Sequence, residues 1–336
     1  MSALIHVDDL VKVYPGGVRA VDGITFVVDE GEIFGFLGPN GAGKTTTIRV
    51  IVTLLEPTSG EVTVDGLVVT DEPEEVRKRI GYAAQFIAVD DDLTARENLV
   101  LQGRLHGIER KEAQRRSTEL LEILQLTEAA DRRARTFSGG MRRRLDLGQA
   151  LVHDPRLLVL DEPTTGLDPQ NRRGVWEYLR KLNQRGVTIF LTTQYMEEAD
   201  ALAGRLAIID EGVIAVEGTP DSLKDDLGGD AITITLPEGS SPEIVERTVG
   251  LLAPFSDAGT ARSYDGAVRV FTADAASRLA DVVRTLDGAG VGVARLELSE
   301  PTLDDVFLRH TGNRMRVEEV KGQSRMMIGR RGGRRE

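Results

Sequence analysis

Short apolar clusters at Leu4-Ile5-His6-Val7 and Ile24-Thr25-Phe26-Val27-Val28, separated by the turn residues Pro15-Gly16-Gly17, have the length and spacing of strands. They predict a small antiparallel sheet. The next run, Glu32-Ile33-Phe34-Gly35-Phe36-Leu37, is compact and apolar and ends in glycines, which suits a buried parallel strand entering a loop. A helix is expected from Lys44 to Leu55. Between Thr94 and Leu151 the pattern becomes charge-rich with helical periodicity. It opens on Thr94-Ala95-Arg96-Glu97, a capping box in which Thr and Glu satisfy each other's backbone donors, and it reads as a helical insertion. Apolar runs return at Leu157 to Leu160, Thr188 to Leu191 and Leu206 to Ile209, alternating with helical stretches at Arg172 to Asn183 and Met196 to Leu202. That alternation implies βαβ units, a mostly parallel sheet and an α/β fold.

Leu227-Gly228-Gly229-Asp230 interrupts this rhythm and is expected to mark a domain boundary, with residues 1–228 in the first domain and its helical subdomain at about 94–151. Beyond it the order reads strand Ala231 to Leu236, helix Pro242 to Leu252, strands near Ala261 to Tyr264 and Ala267 to Phe271, helix Ala275 to Leu286, and strand Gly292 to Leu298. This βαββαβ order suits a small α+β domain, ferredoxin-like, over residues 229–311. Pro301 to Leu308 ends in an amphipathic segment that either packs on its own domain or docks a partner. From Gly312 the chain is arginine-rich and aperiodic, and a disordered tail is expected over 312–336. Its cluster of Arg314, Arg316, Lys321, Arg325, Arg330, Arg331, Arg334 and Arg335 is either merely solvated or drawn to anionic lipid.

A length of 336 residues agrees with roughly two domains. The net charge of −12 argues against a general nucleic-acid binder, which needs a basic surface. No nucleic-acid partner is therefore expected. The absence of cysteine excludes disulfides and thiolate metal sites, and the four histidines stand far apart. No apolar run approaches the ~20 residues of a membrane-spanning helix. Acids at Asp8, Asp9 and Asp22, without a charged-then-apolar leader, point to a cytosolic protein. Any membrane spans would belong to another subunit.

Gly38-Pro39-Asn40-Gly41-Ala42-Gly43-Lys44-Thr45 fits the phosphate-binding loop pattern of P-loop NTPases and lies between an expected strand and an expected helix, where the mechanism needs it. Its glycines let successive N–H groups turn inward on phosphates, and the helix start adds partial positive charge. Lys44 is expected to reach the β- and γ-phosphates of ATP, Thr45 to offer its hydroxyl to Mg²⁺, and Thr46 to belong to the same binding turn. Asp161 and Glu162 end an apolar strand, so a buried element delivers two acids to the sheet edge. Asp161 is expected to hold Mg²⁺ and Glu162 to orient or deprotonate the attacking water, its different direction following from strand alternation.

Between these motifs lies Phe137-Ser138-Gly139-Gly140-Met141-Arg142-Arg143-Arg144, which resembles the signature of ABC transporter ATPases, usually L-S-G-G-Q. Ser138, Gly139 and Gly140 at a helix start would leave bare N–H groups for an anion. The resemblance covers about Leu4 to Pro220. It implies that the signature binds the γ-phosphate held by a second copy, so that two ATP molecules are sandwiched in a head-to-tail dimer. It further implies that Gln85 contacts Mg²⁺ and water and reports to an integral membrane permease. Asp168, in Gly166-Leu167-Asp168-Pro169, matches the D-loop, and Tyr14 matches the aromatic that stacks on adenine. The protein would sit peripherally on the cytoplasmic side of the cell membrane.

Two positions depart from the family pattern. Met141 replaces the signature glutamine, and Gln194 stands where most relatives have histidine. Glutamine keeps a donor and an acceptor but cannot titrate, so Glu162 is expected to be the main catalytic carboxylate. Gln194 together with the C-terminal extension resembles the daunorubicin/doxorubicin-resistance subfamily, which implies ATP-driven export of a hydrophobic drug. An importer ATPase and a non-transport regulatory module remain the alternatives.

Overall fold

The computed structural model describes residues 2–257, 261–264 and 266–312, so the basic cluster from Arg314 onward lies outside the described residues. The chain opens with an antiparallel pair, β1 (Ala3–Val13) and β2 (Arg19–Asp29). It then enters β3 (Ile33–Leu37), passes through the glycine loop into α1 (Lys44–Ile51), and returns with β4 (Ser59–Val64) and β5 (Leu67–Val68). The first sheet has the order β2-β1-β4-β5. Helix α1 stops four residues short of its expected end, because Thr53 adopts φ 61° and both Leu54 and Leu55 donate back to the Arg49 carbonyl. Left-handed backbone at a non-glycine residue closes a helix as effectively as a proline breaks one.

Helix α2 (Pro73–Arg79) and strand β6 (Ile80–Ala83) follow, and then three helices form the expected insertion: α3 (Ala95–Leu105), α4 (Arg110–Ile123) and α5 (Gly139–Leu151). The capping box opens α3 as expected, with Glu97 N donating to Thr94 Oγ1 at 3.1 Å and Thr94 N to Glu97 Oε2 at 2.8 Å. The alternation then resumes through β7 (Leu157–Asp161), α6 (Pro169–Asn183), β8 (Thr188–Thr193), α7 (Met196–Leu202), β9 (Arg205–Asp210) and β10 (Val213–Gly218). These build a six-stranded sheet, β10-β9-β3-β8-β7-β6, parallel except for the β9/β10 hairpin. Every residue of β3, β7 and β8 is buried, which is why these segments read as unbroken apolar runs. Phe26 from the first sheet stacks on Phe34 and Phe190 of the second, with ring centroids 5.6 and 5.8 Å apart, and seals the two layers together.

After α8 (Pro220–Asp225), Gly228 and Gly229 take φ 97° and 109° and turn the chain into a third sheet. A side chain at Gly229 would strike the Ala273 backbone nitrogen at 2.5 Å, so the turn admits only glycine. The elements β11 (Asp230–Thr235), α9 (Pro242–Leu252), β12 (Ala261–Tyr264), β13 (Ala267–Thr272), α10 (Ala275–Gly288) and β14 (Arg295–Ser299) form an antiparallel sheet of order β12-β13-β11-β14. With α9 and α10 packed on one face over Ile232, Ile234, Val268 and Val270, this is the expected ferredoxin-like sandwich.

The last helix, α11 (Leu303–Thr311), resolves the reading left open for the amphipathic segment. Leu303, Val306 and Phe307 are buried among Ala199, Leu206, Leu223 and Leu227 as well as Ala231 and Phe271. One core thus joins α7, α8 and β9 to the third sheet, and α11 is its stitch. Burying three such side chains is worth roughly 1.5–3 kcal/mol each. On its polar side Asp305 pairs with Arg269, and Arg262 donates to the Leu308 and Arg309 carbonyls.

Candidate functional site

The loop from Gly38 to Lys44 lies where β3 meets α1, and its shape is set by crowding on one side. A Cβ at Gly38 would sit 2.3 Å from the Ile209 carbonyl oxygen, and one at Gly43, φ 108°, would sit 2.5 Å from that of Ala20. Gly41 also takes a positive φ, 85°, but faces open space. Backbone is therefore pressed against β9 and the β2 entrance on one side while the other side stays free. Lys44 is only 4 % exposed. Its Nζ donates to the Gly38 and Pro39 carbonyls at 2.7 and 2.9 Å and stands 3.4 Å from Glu162 Oε1. Burial pulls its pKa below the ordinary lysine range, and the carboxylates of Glu162 and Asp161 oppose that shift. Thr46 Oγ1 lies 3.3 Å from the Tyr14 hydroxyl, which puts the aromatic ring beside the start of α1.

Strand β7 carries Asp161 to the same edge. Its Oδ1 accepts from Thr45 Oγ1 at 3.3 Å and from Thr192 Oγ1, on the adjacent strand β8, at 2.7 Å. The strand ends there. Glu162 has φ 48°, in the left-handed region, so its side chain is turned by a backbone kink and not by strand alternation as the sequence suggested. Its N–H is held by the Thr192 carbonyl and hydroxyl at 3.1 and 3.2 Å. Gln85 Nε2 and Thr165 Oγ1 both donate to Glu162 Oε2, at 3.3 and 3.1 Å. Lys44, Thr45, Gln85, Asp161 and Glu162, spread over 118 positions of sequence, thus form one polar network.

Gln194 follows β8 and is buried at 2 % exposure, yet its Oε1 has no hydrogen-bond partner among the described residues. An orphaned buried acceptor is costly and marks a site waiting for a donor. The candidate signature lies elsewhere. Ser138 caps α5 by accepting from Met141 N at 3.3 Å, and Gly140 is pressed so closely on Asn171 that a Cβ would meet its Oδ1 at 2.2 Å. Asn171 in turn donates from its backbone N to Asp168 Oδ1 at 3.0 Å, and Asp168 caps α6. Signature and D-loop candidates therefore sit against each other, and no hydrogen bond among the described residues joins Ser138 to the phosphate loop.

Sequence reasoning passed over three neighbours of the site. Thr192 supports both acids, as above. Glu198, fully buried on α7, accepts from Thr164 Oγ1 at 2.8 Å and Trp176 Nε1 at 2.9 Å, and burial raises its pKa. Arg143, two residues after Met141, is buried beneath the Gln85 loop. The signal for Arg143 was its i,i+3 spacing to Asp146 on one helix, but its other partners are distant backbone carbonyls that no spacing rule reveals.

The donor set fits a magnesium nucleotide. A buried ammonium provisionally satisfied by its own loop, a glycine turn open on one side and an acceptor without a donor suit phosphate and its bound water. A threonine hydroxyl, a carboxylate and a glutamine amide are the hard oxygen ligands that Mg²⁺ takes.

The family model described as ABC transporter matches residues 21–165, and that described as ATP-binding protein DrrA1-3-like, C-terminal domain, matches residues 218–311. The chain is 47 % identical to the daunorubicin resistance ATP-binding protein DrrA2 of Streptomyces coeruleorubidus, over 91 % of this chain and 94 % of that one. It is 38 % identical to the linearmycin resistance ATP-binding protein LnrL of Bacillus subtilis strain 168, over 93 % of this chain and all of the relative. Among solved structures, a dimeric post-hydrolysis state of the ATP-binding cassette MJ0796, bound to ADP and Pi, superposes with a TM-score of 0.58 at 27 % identity, covering 64 % of this chain and 98 % of that one.

Proposed function

The chain belongs to the ABC transporter ATP-binding proteins, and from that membership we propose that it drives export of a hydrophobic drug or antibiotic through a separate membrane permease. It is an ATPase. The observation that carries the hydrolytic reading is Glu162: a buried carboxylate fixed by a kinked backbone, with Lys44 on one oxygen and Gln85 and Thr165 on the other.

In this reading Tyr14 stacks on the adenine, and the N–H groups of Asn40, Gly41 and residues 43–46 and the Lys44 ammonium take the phosphates in place of Lys44's present carbonyl partners. Thr45, Gln85 and Asp161 hold Mg²⁺, which when bound neutralises charge on the transferring phosphoryl group. Glu162 accepts the proton of the attacking water, and Gln85 and Thr165 keep its second oxygen aimed. Gln194 supplies a neutral acceptor or donor to water or γ-phosphate without titrating. Phosphoryl transfer needs positioning more than covalent help, so completing the donor shell decides the rate. Ser138, Gly139 and Gly140 of a second copy, arranged head to tail, complete it, with Asp168 at the seam.

The permease contact belongs beside Gln85. Phe86 and Ile87 are 85 % and 39 % exposed, and Leu54, Leu101 and Leu105 are exposed nearby. Leu54 lines a cavity of about 260 Å³ together with Tyr82, Ala88, Gln102 and His106, and Ala88 directly follows Ile87 in the chain. An apolar rim of this kind on a charged protein marks a docking site. In this reading the chain works peripherally at the cytoplasmic face of the membrane, against the permease; no helix among the described residues is long and apolar enough to cross a membrane. Residues 1–228 form the motor domain and 229–311 an accessory domain stitched to it by α11.

Replacing Glu162 with Gln tests the reading. ATP binding should persist while turnover drops by about 10²-fold or more. The same change in the native cell should sensitise it to at least one class of amphiphilic antibiotic. Parent-like turnover removes Glu162 from its role; unchanged sensitivity across the panel removes drug export.

A further inference from the structure

We infer that Arg143 is a positioning residue for ATP hydrolysis, holding the segments that carry Gln85 and Glu162 in register with the signature helix. The inference rests on the reading of Glu162 as the catalytic carboxylate.

The guanidinium of Arg143 reaches three separate parts of the chain. Its Nε donates to the Pro163 carbonyl at 2.7 Å, and its Nη1 donates to the Ala84 carbonyl at 2.7 Å and to Asp146 Oδ2 at 2.9 Å. Ala84 immediately precedes Gln85, and Pro163 immediately follows Glu162. The two functional side chains meet 3.3 Å apart, with one buried cation gripping the backbone beside each. Asp146 extends the grip, since its Oδ1 accepts from Ala88 N at 3.0 Å. The loop bearing Gln85, Phe86 and Ile87 is therefore clamped at both ends by a single ion pair.

Arg143 and Asp146 are 2 % and 5 % exposed. Burying such a pair costs the hydration of both ions, and apolar residues often fill the same space with equal or better stability. Core packing alone does not call for it. A planar donor fork, however, holds carbonyls of two distant segments and a carboxylate from separate nitrogens in fixed directions, which neither the single rotatable ammonium of a lysine nor an apolar side chain does. The Pro163 contact also stabilises the turn in which Glu162 takes its left-handed backbone. Because Arg143 sits on α5, whose first turn is the signature, a shift of that helix on meeting a second copy is felt at Gln85 and Glu162 together.

Two variants test this. Arg143→Lys keeps the charge but loses the fork. Arg143→Gln combined with Asp146→Ala removes both charges, leaves no unpaired buried ion, and decides the matter if the first variant fails to fold. Each should lower kcat by roughly 10- to 100-fold while KM for ATP stays within about threefold and the melting temperature within a few degrees. Placed on Glu162→Gln, Arg143→Lys should remove far less of the remaining turnover than it removes from the parent, since the group it positions is gone. The inference is overturned if the double variant keeps kcat within about twofold, or if kcat falls only in proportion to folded protein. Parent-like turnover of Glu162→Gln, run alongside, would instead mean that the carboxylate itself was misassigned.

Discussion

The two ends of the nucleotide edge are built differently. At the phosphate loop, Lys44, Thr45, Gln85, Asp161, Glu162, Thr165 and Thr192 are joined to one another by side-chain bonds drawn from four strands or their ends. At the signature, Ser138 does no more than cap its own helix, and Gly140 leans on Asn171 of the neighbouring helix. The first end is a finished constellation. The second is a helix N-terminus with donors to offer and, among the described residues, no side chain of the phosphate loop bonded to it. In the proposed head-to-tail dimer this contrast would mean a divided site, each copy holding base and cation and lending a donor surface to its partner.

The division is broken most severely by mixing defects. Lys44→Ala alone should abolish turnover through loss of the phosphate-binding cation, and Ser138→Arg alone should do so by blocking the donated surface. Mixed in equal amounts, half of all dimers would pair one of each, and such a dimer retains one intact site, made from the normal loop of one copy and the normal signature of the other. Recovery to about a quarter of parent activity is expected if sites act independently. A mixture as dead as its components would mean that the signature does not act on the opposite copy.

A subtler change probes how the donated surface is held. Gly140→Ala pushes a methyl group into Asn171, which Asp168 otherwise fixes at the start of α6. Turnover should fall by about tenfold with little loss of ATP binding by the isolated chain, because the phosphate loop is untouched. Adding Asn171→Ala should restore much of it by making room. If the pair is no better than Gly140→Ala alone, the seat between signature and D-loop is not what Gly140 protects.

The same contrast explains what could be read from the sequence. The phosphate loop and the Asp161, Glu162 pair are contiguous motifs at the ends of apolar strands, so their place in the α/β sheet was legible. The kink at Glu162 was not, because a left-handed backbone at a glutamate has no sequence signature and is imposed by Thr192 and the turn that follows. The short elements between α1 and α3 escaped notice since two- to seven-residue segments carry too little periodicity. Helix α11 showed its apolar face in the spacing of Leu303, Val306 and Phe307, but periodicity says only that a face is buried, not which surface buries it. The reach of Arg143 was hidden for a related reason: beside Asp146 on its own helix, its acceptors are backbone carbonyls 59 and 20 positions away.

The smallest effect is expected at Gln194. Gln194 is buried with its Oε1 unpartnered, close in the chain to Thr192 and Thr193 at the end of β8. A neutral imidazole offers one donor and one acceptor, as the carboxamide does. Burial alone disfavours the charged ring and keeps an imidazole there neutral at physiological pH. Gln194→His should therefore leave kcat within about threefold of the parent at pH 8, an order of effect set by preserved hydrogen-bonding capacity. Below about pH 6 the variant alone should lose or gain rate as its ring protonates, whereas the parent profile should stay flat from about pH 6.5 to 8 because nothing at 194 titrates. Within the parent, His153 cannot supply such a limb either, since burial holds its pKa down at about 4. A histidine-like inflection in the parent's kcat profile would show that a group other than Glu162 shares the proton, and would end the claim that the catalytic weight lies on that one carboxylate.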